Sequence, residues 1–87
     1  MKNNMVTREW LLEKGFSFRV WEGSESPDGE YTLRGYGYYI VVGYSDMFKW
    51  DYTITNYDKN IEIKGTRQES ITIEHINKCL NICEIKL

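Results

Sequence analysis

Lys49-Trp50-Asp51-Tyr52-Thr53-Ile54-Thr55 alternates strictly, with Trp50, Tyr52 and Ile54 against Asp51, Thr53 and Thr55. A period of two with one apolar side is the pattern of a half-buried strand. Beyond it, Asn56-Tyr57-Asp58-Lys59-Asn60 reads as a polar hairpin loop. Ile61-Glu62-Ile63-Lys64 then reads as a last short strand, ended by Gly65. Working back, Gly43-Tyr44-Ser45-Asp46 punctuates, and Glu30 to Val42 is strand-like throughout. Gly35 and Gly37 interrupt that run, marking either a bulge in one long strand or a tight turn between two shorter ones. Further back, Phe16, Phe18 and Val20 alternate with Ser17, Arg19 and Trp21, an opening strand. The loop Gly23 to Gly29 separates the two, and Ser26-Pro27-Asp28-Gly29 fits a type I turn. Four or five strands joined by short loops predict an antiparallel meander.

Helical patterns flank the meander. Thr7 is a suitable N-cap and Glu9 complements the first turn. Val6 can staple onto Leu11, and Gly15-Phe16 fits a Schellman ending. So short a helix is held by packing through Trp10, Leu11 and Leu12. At the other end Thr72 is the expected N-cap of a second helix. Ile73, Ile76, Leu80 and Cys83 recur on one stripe with Cys79 beside them, and the tail Glu84-Ile85-Lys86-Leu87 is expected to fray. The fold expected over residues 1–87 is one α+β domain with both helices on one face of the sheet.

Composition narrows function mainly by exclusion. The 87 residues carry 11 Lys+Arg against 13 Asp+Glu, a net charge of −2 that argues against a phosphate backbone as main partner. No apolar run approaches the ~20 residues of a membrane span, and the start lacks the apolar segment of a signal peptide. Aromatics make up 15% of the chain, and Ala is absent. In so small a domain large rings are the efficient way to bury area. Ile, Asn, Lys and Tyr in place of Ala also resemble the usage of AT-rich phage and mobile elements.

Three constellations invite a chemical reading. Arg34-Gly35-Tyr36-Gly37-Tyr38 reproduces the start of the RNP1 pattern of RNA-recognition domains. On one continuous strand Arg34, Tyr36 and Tyr38 would share a face and stack nucleobases. The pattern fails in its second half, at Tyr39 and Val41, and no helix follows the first strand. His75, Cys79 and Cys83 lie four apart on one helical stripe, but one helix does not wrap a tetrahedral ion, and these read as core. Two free thiols suit a reducing cytoplasm. Glu22, Glu25, Asp28 and Glu30 make an acidic loop without calcium-loop spacing, so it reads as a solvated surface that can dock a basic partner. No nucleophile, base and orienter come together in sequence, so the chain is read as non-enzymatic, with no metal, cofactor or small-molecule substrate.

Thr7-Arg8-Glu9-Trp10-Leu11-Leu12-Glu13-Lys14-Gly15-Phe16 resembles the T-x-E-W-L-L-x-x-G-F opening of a group of small uncharacterised bacterial and mobile-element proteins. Those have a strand-rich middle and a C-terminal amphipathic helix, to which Ile73, His75, Ile76 and Leu80 are loosely similar, although the group's Leu-Gln-Asn-Leu run is missing. The resemblance implies a similar fold and no activity.

With both helices on one face, the other face is expected to be open and to carry some of Trp21, Tyr36, Tyr38, Trp50, Tyr52 and Tyr57. The functional expectation is a cytoplasmic protein-binding module, such as a phage or mobile-element inhibitor of a host defence protein. It would bind a host protein or a second copy of itself through Trp21, Glu25, Asp28, Arg34, Tyr36, Tyr38, Trp50 and Tyr52. The alternative is single-stranded nucleic-acid binding through Arg34, Tyr36 and Tyr38.

Overall fold

The computed structural model describes residues 4–23 and 28–87. The element order is α1 (Arg8–Glu13), β1 (Ser17–Val20), β2 (Gly29–Gly35), β3 (Tyr38–Ser45), β4 (Lys49–Asn56), β5 (Ile61–Gln68) and α2 (Ile73–Ile82). The five strands form one antiparallel sheet in sequence order, β1-β2-β3-β4-β5. No helix among the described residues is long and apolar enough to cross a membrane.

Register shows why the sheet has one apolar side. Leu33, Ile40, Ile54 and Ile63 stand in one row across β2 to β5, and Tyr31, Val42, Tyr52 and Gly65 in the next. Directly opposed residues share a face, so these rows lie on the same side. Leu11 of α1 and Ile76, Cys79 and Leu80 of α2 join them in a single buried cluster. Both helices therefore pack on that side. The open side carries the alternate rows, Arg19-Glu30-Gly43-Asp51, Thr32-Val41-Thr53-Lys64 and Arg34-Tyr39-Thr55-Glu62. Ile54 and Ile40 are almost completely buried, each contributing roughly 1.5–3 kcal/mol of hydrophobic stabilisation.

The caps of α1 form as its sequence requires. Thr7 Oγ1 accepts Trp10 N–H at 3.1 Å, Phe16 N–H reaches Leu11 O at 3.0 Å, and Gly15 N–H reaches Leu12 O at 3.1 Å. Phe16 is thereby folded into the core, and β1 starts one residue later than its alternation suggests. At α2, Thr72 Oγ1 accepts His75 N–H at 3.0 Å. Contrary to the expected fraying, the tail closes in the same Schellman geometry. Ile85 N–H reaches Leu80 O, Glu84 N–H reaches Asn81 O, and Ile85 is buried. Glu84 takes the left-handed position at φ 57°, where glycine is usual.

Of the two alternatives at Gly35 and Gly37 the turn is the one formed: Tyr36-Gly37 joins β2 to β3, closed by the pair Gly35↔Tyr38, with Gly37 at φ 77°. Two further expectations are corrected. Gly43 lies inside β3, packed under the Trp21 ring and the Asp51 carboxylate on the open face. Gly65 does not end β5, which runs on to Gln68; glycine stands there because the Tyr52 ring lies where a Cβ would be. The turn expected at Ser26-Pro27 falls outside the described residues.

The segment that leads into α1 is clasped to the one that leads into α2. Met5 bridges Thr72, Val6 N–H reaches Ile71 O at 2.7 Å, and Ile73 N–H reaches Asn4 O at 2.7 Å.

Candidate functional site

The aromatic sheet face expected from the sequence is not formed. Tyr38, Trp50 and Tyr52 stand in the helix-side rows, and Tyr52 is buried there. Of the site residues, the open face holds Trp21 and Arg34. Trp21 Nε1–H donates to Glu30 Oε1 at 3.0 Å, and the other Glu30 oxygen takes Arg19 at 3.0 Å. The Arg34 guanidinium lies 4.8 Å from the centre of the Tyr39 ring. Tyr36 is fully exposed in its turn, and Tyr57 lies in the turn between β4 and β5. Asp28 lies at the start of β2, at the opposite end of the sheet from Tyr36. Glu25 lies outside the described residues. Arg34, Tyr36 and Tyr38 occupy the open face, a turn and the helix face respectively, so they make no common stacking platform.

The structure exposes a different surface. Between β3 and β4 the chain turns through Asp46-Met47-Phe48, where Met47 is 80% and Phe48 48% exposed. The loop is held from several directions. Ser45 Oγ accepts Phe48 N–H at 2.9 Å, Asp28 Oδ1 accepts Asp46 N–H at 3.2 Å, and Tyr44 donates its O–H to Asp46 Oδ1 at 3.2 Å. Lys49 closes the turn at φ 62°. Beneath the tip, Tyr44 and Trp50 face each other across the two strands with ring centres 4.9 Å apart. Arg67, at the far end of β5, places its guanidinium 5.1 Å from the centre of the Phe48 ring.

Electrostatics around the tip are acidic near Tyr44. Its hydroxyl is pushed above its ordinary value by desolvation, then by its hydrogen bond to Asp46 and by the charges of Asp46, Asp28 and Glu69. Tyrosines elsewhere on the surface have a polar end to justify exposure. Met47 and Phe48 have none, and they stand side by side on a loop fixed by hydrogen bonds.

The nearest approach to catalytic chemistry lies elsewhere. Tyr52 Oη and His75 Nε2 are 2.5 Å apart, and Cys79 Sγ lies 3.7 Å from the same nitrogen. Burial pushes both the Tyr52 hydroxyl and the Cys79 thiol up, and a raised thiol is the opposite of an activated nucleophile. The trio instead satisfies polar atoms where α2 meets the sheet. Cys79 and Cys83 are buried free thiols on the core stripe.

Sequence reasoning reached Asp28 and Trp50, which belong to the tip region, and passed over Met47 and Phe48. Two consecutive apolar residues beside a polar cluster were the available signal. No family model, curated protein or solved structure matches the chain.

Proposed function

We propose that the chain is a non-catalytic protein-interaction module that docks through the Met47-Phe48 tip. The observation that carries this reading is the exposure of both side chains on a loop already fixed by Ser45, Tyr44 and Asp28. A preformed loop loses little conformational freedom on binding. The partner is an apolar cleft with a basic margin, complementary to Asp28, Asp46 and Glu69. The finer reading is an inhibitor of a host defence protein carried by a phage or mobile element. It rests on the small size, acidic balance and Ala-free composition. The two unpaired thiols support a cytoplasmic setting.

The test is affinity capture from a lysate of the source organism with the wild-type chain, a Met47→Ser/Phe48→Ser variant and a Tyr36→Ser control. A stoichiometric partner retained by wild type and control, lost from the tip variant and released as salt rises, supports the reading. A partner held equally by all three chains refutes it.

A further inference from the structure

β5 is a sheet edge, paired with β4 on one side only, and it is eight residues long against four for β1 at the opposite edge. Its unpaired backbone groups are a template for another strand. Ile61 and Ile63 stand half-exposed on the helix side, while Glu62 and Lys64 are exposed on the open side. From this pattern we infer that the β5 edge binds a second copy of the chain. The copies pair antiparallel about a two-fold axis through Ile63, so that two five-stranded sheets become one.

Symmetry restricts the alternatives. An antiparallel pair related by a two-fold axis perpendicular to the sheet keeps each residue on its own face, so the axis must pass through a residue facing its own copy. An axis at Glu62 sets Glu62 against Glu62, and an axis at Lys64 sets Lys64 against Lys64. Like charges directly opposed are unfavourable. An axis at Ile63 sets Glu62 of each copy opposite Lys64 of the other, and Ile63 against Ile63. It also lays Ile61 over the other copy's Gly65, where the Tyr52 ring already fills the space on the inner side. Past Thr66 the left-handed Arg67, at φ 55°, and the register shift between Trp50 and Tyr52 take the strand out of regular pairing. The match is thus confined to the segment whose charges are complementary. Within one copy Glu62 Oε1 and Lys64 Nζ already lie 3.9 Å apart and exposed, so pairing exchanges the two surface ion pairs of the separate copies for two across the axis. Backbone bonds and isoleucine contact supply the affinity, and the charges choose the register.

Sedimentation equilibrium from micromolar to millimolar concentration tests this. Wild type is expected to pass from monomer to dimer. Glu62→Lys alone, or Lys64→Glu alone, places two like-charged pairs across the axis and weakens the dimer by about tenfold or more. The double exchange Glu62→Lys/Lys64→Glu restores complementarity and returns the dimer to within about threefold of wild type. Circular dichroism of each variant confirms that the monomer remains folded. Met47→Ser/Phe48→Ser leaves dimerisation unchanged, which separates this interface from the tip. A wild type that stays monomeric throughout, single variants that dimerise as well as wild type, or a double exchange as weak as the singles would each overturn the inference.

Discussion

Asn56 Nδ2–H donates to the carbonyl oxygen of Cys83 at 2.7 Å, joining the end of β4 to the C-cap of α2. Its Oδ1 accepts Lys59 N–H at 3.0 Å in the following turn. One buried carboxamide therefore holds a hairpin and a helix end together. Asn56→Ala leaves the Cys83 carbonyl and the Lys59 N–H without these partners, at a cost of about 1–3 kcal/mol. Urea unfolding monitored by circular dichroism measures it, and a loss under 0.5 kcal/mol would show that water replaces the side chain at no cost.

Tyr52 has two separable roles. Its ring covers Gly65, and its hydroxyl meets His75. Tyr52→Phe keeps the ring and is expected to cost about 1 kcal/mol. Tyr52→Ala also opens a cavity and uncovers an edge glycine, for about 3–5 kcal/mol. Equal losses in the two variants would mean that the ring contributes no packing.

Asp51 gives a pH signature. Desolvation raises its carboxyl above the ordinary value, the Gly43 N–H it accepts opposes this, and the Glu30 charge raises it further. Folding therefore disfavours the ionised form. The penalty is fully present above the folded-state pKa and disappears as pH falls towards the ordinary aspartate range. Asp51→Asn removes the charge and leaves a carbonyl oxygen able to accept from Gly43. It is expected to raise the melting temperature at pH 7, with the gain shrinking as pH falls and vanishing near pH 3. A gain that persists at pH 3 would assign the effect to packing instead.

The two helices end alike in geometry and differently in residue. Gly15 occupies the left-handed position after α1, and Glu84 holds it after α2. Glu84→Gly is expected to stabilise by about 0.5–1 kcal/mol, because a side chain in that conformation is disfavoured. The exposed 3.5 Å pair that Glu84 makes with Lys59 offsets little of this. Glu84→Ala, which loses the same ion pair and gains no freedom, serves as the control in thermal melts.

Much of this architecture was legible where local chemistry decides conformation. Thr7, Gly15 and Phe16 specify the first helix because capping involves near neighbours, and alternation correctly groups Trp50, Tyr52 and Ile54. Alternation does not say which face the helices cover. That follows from the packing of Leu11, Ile76, Cys79 and Leu80 on the rows of Ile40, Val42, Tyr52 and Ile54. It puts Tyr38 and Trp50 on the covered side, while the turn takes Tyr36 out of the sheet. Nor does alternation show that Gly65 makes room for the Tyr52 ring inside β5, since that contact joins separate strands. The Glu84 cap was hidden because tertiary burial of Ile85 imposes a conformation that glutamate does not signal. Met47 and Phe48 break alternation, and what singles them out is exposure.

The clasp between residues 4–6 and 71–73 has a kinetic consequence. Every sheet pairing joins consecutive strands, so the meander can assemble by local zipping. The clasp forms only when segments near opposite ends of the sequence meet, after the intervening chain has folded. Its opening releases no strand, so the Val6 and Ile73 amides should exchange with solvent hydrogen faster than those of Ile40 and Ile54. A tag fused before Asn4 would act first on this latch.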